Sequence, residues 1–201
     1  MTTMPTLVLA SASRVRLALL RDAGLDVVAD PAEIDEAAVK AEMRAQGMGI
    51  EMVAIELATR KAQVVAARHP ESLVIGADQM LEAAGQWLDK PADRSAAARQ
   101  LAALSHRSHR LVTAAVVVEG GREIWRIANT VVMHMRELSP SFIEHYLDRM
   151  GDAALASVGA YQLEGLGAQL ITRVEGDYFS ILGLPLLPLL TFLRNHGIIE
   201  Q

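Results

Sequence analysis

Residues 7–20, LVLASASRVRLALL, place a short apolar run directly before a helical pattern. Residues 6–10 predict a buried strand, and residues 13–23 predict a helix that ends at Gly24. The polar junction between them has two interpretations. Ser13 caps the helix while the arginines lie on a solvated face, or the unpaired N–H groups and the positive dipole end of the helix bind an anion.

The rest of the chain alternates between strand and helix patterns. DVVADPAEIDEAAV predicts a strand that leads into an acidic loop, and SLVIGAD, residues 72–78, is typical of a buried central strand. Hairpins are predicted at Ala84-Gly85 and around residues 119–121. The remaining predictions are helices over 50–69, over 93–104 with Asp93 as cap, from Ser139-Pro140, and from about Pro185, and a strand near 168–174. The pattern predicts one α/β domain over residues 1–201 with a mixed sheet.

Composition excludes several classes of protein. A net charge of −5 argues against a general nucleic-acid binder, because such proteins need a basic surface. No apolar run reaches the ~20 residues of a membrane span, and MTTMPT lacks the features of a secretion signal. The chain has no cysteine, which excludes disulfides and thiolate nucleophiles and fits a cytoplasmic protein.

Acidic residues supply the first candidates for catalysis. Asp78 follows the most buried predicted strand, at the end where open α/β sheets place their chemistry, although an aspartate there is also a common turn residue. Glu33, Asp35 and Glu36 cluster in one predicted loop. Such a cluster is either simply solvated or supplies the one or two carboxylates that hold Mg²⁺ together with substrate phosphates.

Lysine is rare in this chain, with three lysines against sixteen arginines. A compact ammonium differs from a guanidinium as a phosphate ligand, so the rarity directs attention to Lys61 and Lys90. Lys90 lies in LDKP, where the proline stiffens the backbone. Motifs for a serine nucleophile elbow, a P-loop and a zinc protease are absent, and His106 and His109 are interpreted as a turn that enters a strand.

Taken in order, eight segments of the chain resemble the Maf family of nucleoside triphosphate pyrophosphatases: LASASRVRLALL, IDE, LATRKA, VIGADQM, LDKP, LSHRSHRLVTAAVV, GAYQLEGLGA and EGDYFSILGLPL. The match covers essentially the whole chain. It implies a Maf/ITPase-like α/β fold with a mixed central sheet flanked by helices, in two lobes with a cleft between them. It also implies a homodimer and a metal-dependent cut between the α and β phosphates of a nucleotide.

The resemblance also implies roles for individual residues. The catalytic acid falls on Asp78, as base, as metal ligand or as both, and Mg²⁺ or Mn²⁺ would be held by Glu36 and Asp78. The triphosphate would be bound by two hydroxyls and three cations, namely Ser11, Ser13, Arg16, Lys61 and Lys90. The implied partner is a small-molecule nucleotide, with no nucleic acid or membrane.

Three positions depart from the dTTP/UTP branch of that family. Val15 replaces an arginine of S-x-S-P-R-R, Gln79 follows the aspartate where that branch has threonine, and Glu164 stands where it has glutamine. These residues resemble the 7-methyl-GTP branch, and a carboxylate at position 164 can accept from the N1–H and 2-amino groups of guanine. The expected substrate is 7-methyl-GTP or a related purine nucleotide. The alternatives are a dTTP/UTP pyrophosphatase, and a non-catalytic protein that acts in cell division by septum inhibition.

Overall fold

The computed structural model describes residues 6–200. The expectation about a secretion signal concerns MTTMPT and so lies almost wholly outside this range. The strands are β1 Leu7–Leu9, β2 Val27–Ala29, β3 Leu73–Ala83, β4 Gln86–Leu88, β5 Ser108–Glu119, β6 Arg122–Met135 and β7 Ile171–Glu175. The α-helices are α1 Arg14–Asp22, α2 Glu36–Ala45, α3 Ile50–Ala66, α4 Arg94–Leu104, α5 Pro140–Met150, α6 Tyr178–Ile181 and α7 Leu186–Asn195. None of the helices in this range has the length and hydrophobicity that a membrane span needs.

The strands pair in the order β2-β1-β3-β5-β6-β7, and β4 pairs with β3. Strand β1 runs parallel to both β2 and β3, whereas the β3–β4 and β6–β7 pairs are antiparallel. The predicted mixed α/β fold is therefore confirmed. Both predicted hairpins are also present, because β3–β4 turns at Ala84-Gly85 and β5–β6 turns at Gly120-Gly121.

Three sequence predictions need correction. The strand predicted over 72–78 continues to Ala83, because its far end pairs with β4 through Leu81↔Leu88. The helix predicted to reach residue 69 ends at Ala66. The acidic segment is not all loop, because Asp35 caps α2 by accepting a hydrogen bond from Ala38 N, and Glu36 is the first residue of that helix.

The chain divides into two compact units, each built from separate segments. The first contains residues up to 79, residues 113–129 and residues from 183 onward, and the second contains residues 80–112 and 130–182. Strands β3, β5 and β6 contribute residues to both units. That the whole chain folds as one domain stays a prediction.

The first unit depends on a close approach between helix α3 and strand β3. Gly76 of β3 has no side chain, and a Cβ built there would lie 2.1 Å from the Ala58 carbonyl oxygen and 2.9 Å from the Cβ of Ala62. Any larger residue would push the helix away from the strand. Small residues on both surfaces therefore set the distance between α3 and the segment of β3 that carries Asp78.

The second unit has its own apolar core. Seventeen buried residues form one cluster, from Leu81 on β3 through α4 and α5 to Ile181 on α6. Burial of aliphatic and aromatic surface of this extent is the main stabilising contribution to a unit of this size. Helix α5 begins as predicted, with Ser139 Oγ accepting from Phe142 N and Pro140 in the first turn.

A buried polar pair lies in this second unit. His106 lies in the turn before β5 and His109 lies within that strand, both as predicted, and His109 is 2% exposed. The ring nitrogen Nε2 of His109 lies 2.6 Å from Tyr161 Oη, and Nδ1 has no hydrogen-bond partner among residues 6–200. Burial, with a smaller contribution from the charge of His134, lowers the pKa of His109 to about 4. The imidazole is therefore neutral at neutral pH.

This histidine predicts an acid-sensitive stability. An unfolded His109 binds a proton near its ordinary pKa of 6.5, whereas the folded one does so only near 4, so stability present above pH 6.5 is lost as the pH falls toward 4. Between pH 7 and pH 5 we expect His109 to account for a loss of about 2 kcal/mol in the free energy of unfolding. Urea unfolding at both pH values measures it. In His109→Gln, which keeps an acceptor for Tyr161, the pH-dependent loss should shrink by that amount, and an unchanged loss would contradict the assignment.

Candidate active site

Two carboxylates and one ammonium meet in the first unit. Lys61 Nζ lies 2.6 Å from Asp78 Oδ1 and 2.6 Å from Glu36 Oε1. The side chains of Lys61 and Asp78 are 11% and 8% exposed, whereas that of Glu36 is 45% exposed. The Asp78 oxygen Oδ2 accepts no hydrogen bond from any described residue. A buried carboxylate held on one side by an ammonium thus keeps its other oxygen available.

Each of these side chains is positioned by a different element. Asp78 lies on β3 beyond the point where β1 ends, because the last β1–β3 pair is Leu9↔Ile75. Lys61 follows Ala58 by three residues on α3, the helix that Gly76 allows to approach the strand. Glu36 enters from the first turn of α2. The site therefore forms where a parallel strand pair ends, as is usual for α/β sheets.

Arg16 occupies the space that β1 leaves beside β3. Its Nη1 donates to the Ala77 carbonyl oxygen at 2.9 Å and to Ser11 Oγ at 3.2 Å, and its Nε donates to the Gly183 carbonyl oxygen at 2.7 Å. Nη2 has no acceptor among the described residues. Burial lowers the pKa of Arg16 from its ordinary value, and the charges of Asp78 and Glu36 oppose that shift. The guanidinium stays charged, since arginine is effectively always protonated in proteins.

The two serines of the junction have different roles. Ser13 Oγ accepts from Arg16 N at 3.3 Å and is the N-cap of α1. Ser11 Oγ accepts from Ser13 N and from the Arg16 guanidinium, each at 3.2 Å. Because both acceptor positions of the Ser11 hydroxyl are used, its own proton is left to donate outward. Of the two interpretations of this junction, the cap is present at Ser13, and the outward donors of Ser11 and Arg16 favour an anion site as well.

Of the residues expected to read the base, two lie in the first unit. Gln79 is next to Asp78 on β3, and its Nε2 donates to Thr113 Oγ1 on β5 at 2.9 Å, which fixes the orientation of the amide. Val15 is partly exposed in the first turn of α1. Both are thus close in sequence to residues of the cluster described above.

Lys90 and Glu164 belong to the second unit. Lys90 is exposed in the segment after β4, and Glu164 is exposed in a turn between two short 3-10 segments, Val158–Ala160 and Leu166–Leu170. Their roles in phosphate and base binding rest on the sequence and stay predictions.

Ala77, Gly183 and Thr113 bond to residues of the site but are not among the residues that the sequence predicts. Ala77 and Gly183 act through backbone carbonyls, so their side-chain identity gives no direct signal. Gly183 carries an indirect one, because its φ of +96° favours glycine and a Cβ there would lie 3.0 Å from Arg16 Nε. Its position within the segment EGDYFSILGLPL could have marked it.

No group of three or more His, Asp or Glu side chains within residues 6–200 comes together as a cation site. The protein offers the two carboxylates of Glu36 and Asp78. Mg²⁺ accepts hard oxygen ligands and is commonly held by one or two carboxylates together with substrate phosphates. Two carboxylates are too few to hold a divalent cation by protein ligands alone. They fit a cation that binds together with a nucleotide, whose phosphates supply further ligands.

Comparison with known proteins finds similar proteins over nearly the whole length of the chain. Residues 6–196 match the family model described as Maf-like protein. The chain is 52% identical to the nucleoside triphosphate pyrophosphatase of Paramagnetospirillum magneticum, over 94% of this chain and 97% of that protein. It is 50% identical to the 7-methyl-GTP pyrophosphatase of Mesorhizobium japonicum, over 96% of this chain and 98% of that protein. A crystal structure of a nucleoside-triphosphatase / dITP/XTP pyrophosphatase from Mycobacterium abscessus aligns over 66% of this chain and 75% of that one, with a TM-score of 0.43 and 19% identity.

Proposed function

The chain belongs to the Maf family, and from that premise we propose that it is a nucleoside triphosphate pyrophosphatase. The reaction is hydrolysis of the bond between the α and β phosphates, which releases the nucleoside monophosphate and pyrophosphate. Relatives about half identical over nearly their whole length bear the name of this hydrolase activity.

One observation carries the proposal: phosphate-binding donors lie beside a buried carboxylate. The hydroxyl of Ser11 and the Nη2 of Arg16 have no protein acceptor among residues 6–200, and both lie at the N-terminus of α1, where the helix dipole favours an anion. Arg16 is in turn bonded to the carbonyl of Ala77, the neighbour of Asp78. The hydrogen bond to Ala77 thus keeps the anion-binding donors at a fixed position relative to the Asp78 carboxylate.

Each group has a task in phosphoryl transfer. The Oδ2 oxygen of Asp78 is available to accept the proton of the attacking water. Arg16 and Ser11 donate to phosphate oxygens, on which negative charge gathers in the transition state. Lys61 supplies a further cation beside Asp78. Donors fixed by the fold need little reorganisation during the reaction, which is the basis of their catalytic effect.

A divalent cation would be held by Glu36 and Asp78. When bound, it would neutralise phosphate charge and lower the pKa of a water ligand. The Oδ2 oxygen of Asp78 suits both the role of base and that of metal ligand.

A panel of nucleoside triphosphates assayed for pyrophosphate release with Mg²⁺ or Mn²⁺ tests the proposal. We expect monophosphate and pyrophosphate in equal amounts, and no orthophosphate. Binding of nucleotide without turnover for every member of the panel would reduce the protein to a nucleotide-binding module. Release of orthophosphate instead would place the cut at a different phosphate bond.

For the substrate, we propose 7-methyl-GTP or a related purine nucleotide. Val15, Gln79 and Glu164 are the residues that support this choice. Two relatives at 50% identity, from Mesorhizobium japonicum and Rhizobium etli, are named 7-methyl-GTP pyrophosphatase, while others bear the general name. Homodimer formation and a cytoplasmic location stay predictions.

Glu164→Gln should narrow or reverse the base preference. A glutamate accepts hydrogen bonds from guanine, whereas a glutamine also offers a donor to a pyrimidine carbonyl. Once a bound base covers this exposed side chain, a polar group left unpaired there costs ~1–3 kcal/mol, so the ratio of kcat/KM for 7-methyl-GTP over dTTP or UTP should move roughly tenfold to a hundredfold. Competition assays with both nucleotides present measure that ratio. An unchanged ratio would mean that Glu164 does not contact the base.

A further inference from the structure

We propose that Lys61 is a counter-ion that keeps a divalent cation away from Glu36 and Asp78 until a nucleotide binds. The inference rests on the proposed function and adds an order of binding to it. In the structure, one ammonium lies 2.6 Å from an oxygen of each carboxylate. The position between the two acids is thus already taken by a positive charge.

The charges explain why this position needs an occupant. Glu36 and Asp78 lie on different elements, α2 and β3, and would repel each other without a cation between them. Asp78 is buried, so loss of its partner would leave a desolvated carboxylate uncompensated. Lys61 therefore holds the two acids together, and Arg16, whose charge also interacts with both acids, supports it.

The Lys61 ammonium between the two carboxylates also opposes the binding of a metal ion there. A divalent cation that ligates these oxygens would lie next to the Lys61 ammonium, and two positive charges at such a distance repel strongly in a partly buried site. The protein supplies only two carboxylates there, and no third His, Asp or Glu joins them within residues 6–200. With Lys61 in place, the net charge that the three groups present to a metal is only −1.

A triphosphate changes this balance. It brings several negative charges and phosphate oxygens to the donors of Ser11 and Arg16, and it offers the Lys61 ammonium a new anionic partner. The flexible four-carbon stem of lysine allows the ammonium to turn toward phosphate, which a rigid guanidinium fork would do less readily. Glu36 and Asp78 then become available to a cation whose remaining ligands are phosphate oxygens and water. The metal consequently binds well only after the nucleotide, and each then strengthens the binding of the other.

Binding of Mn²⁺ measured without turnover tests this role. Isothermal titration is carried out on the wild type alone, on the wild type with an α,β-methylene analogue of GTP, and on Lys61→Met alone. We expect Lys61→Met to bind Mn²⁺ about tenfold more tightly than the nucleotide-free wild type, or more, which is within the usual range of coupling between sites. Mn²⁺ should also raise the Tm of Lys61→Met more than that of the wild type.

Two controls locate the effect. Arg60→Met removes the charge of the preceding residue on α3, which pairs with Glu56 and Glu42 instead, and should leave Mn²⁺ affinity unchanged. Adding Glu36→Gln to Lys61→Met should abolish the gain. Lys61→Gln is the second variant if Lys61→Met does not fold, as judged by circular dichroism.

The outcomes separate this inference from the proposed function. Mn²⁺ affinity of both Lys61 variants equal to or weaker than that of the nucleotide-free wild type would overturn the role of Lys61. So would a gain that persists with Glu36→Gln, because the metal would then bind elsewhere. A wild type that hydrolyses no nucleotide would remove the proposed pyrophosphatase activity, while a tighter Mn²⁺ site in Lys61→Met would still stand as a property of these three side chains.

Discussion

Asp78→Asn is expected to lower kcat for nucleotide hydrolysis by about 100-fold or more, since general-base contributions run to ~10²–10⁴-fold. The amide has nearly the shape of the carboxylate, but it cannot take a proton from water and binds a cation only weakly. Lys61 keeps its contact with Glu36 in this variant, so its ammonium is not left without a partner. The protein should therefore fold, and the loss should fall on turnover.

Asp35→Asn is the matched control for that substitution. Asp35 lies next to Glu36 but caps α2 by accepting from Ala38 N, and asparagine caps a helix about as well as aspartate. Steady-state kinetics of both variants, with thermal unfolding of each, measure the difference. If Asp78→Asn keeps more than about a tenth of the wild-type rate, Asp78 is not the catalytic acid.

Much of this fold could be predicted because its signals are local. Helices α1, α4 and α5 each begin after a capping residue whose side chain accepts a hydrogen bond from the first turn, and the sequence predicts all three caps: Ser13, Asp93 and Ser139. Both hairpins turn at glycine, where the backbone takes positive φ. The sequence does not predict that the strand over 72–78 is continuous with the first strand of the hairpin at Ala84-Gly85, because polar residues interrupt the apolar run between them.

The candidate site divides in a similar way. The sequence predicts five residues that the structure brings into the first unit, linked by hydrogen bonds and ion pairs: Ser11, Arg16, Glu36, Lys61 and Asp78. How they are held together could not be predicted from residue type. The guanidinium of Arg16 depends on two backbone carbonyls, and the approach of Lys61 depends on a contact between Gly76 and the backbone of α3. These contacts are made by backbone atoms that the fold brings together, so the types of the side chains do not reveal them.

The dual role of Arg16 leads to the second large effect. Its Nε and Nη1 bind the protein, whereas its Nη2 is left for substrate. A hydrogen bond to a charged group contributes about 1.5–3 kcal/mol, so Arg16→Ala should lower kcat/KM by roughly 10- to 150-fold. The variant should also be less stable, because the carbonyls of Ala77 and Gly183 lose their donor.

The assay that isolates this effect compares four variants under one set of conditions. Arg122→Ala removes an exposed arginine at the start of β6 and should leave kcat/KM near that of the wild type. Lys61→Ala and Lys90→Ala should lower kcat/KM as Arg16→Ala does, since each is expected to remove a cation that contacts phosphate. Gly183→Ala tests whether the position of the Arg16 guanidinium matters as well as its charge. The added Cβ would displace Arg16 Nε and leave the charge in place. If the Arg16 and Arg122 variants lose activity equally, the anion site at the start of α1 does not exist.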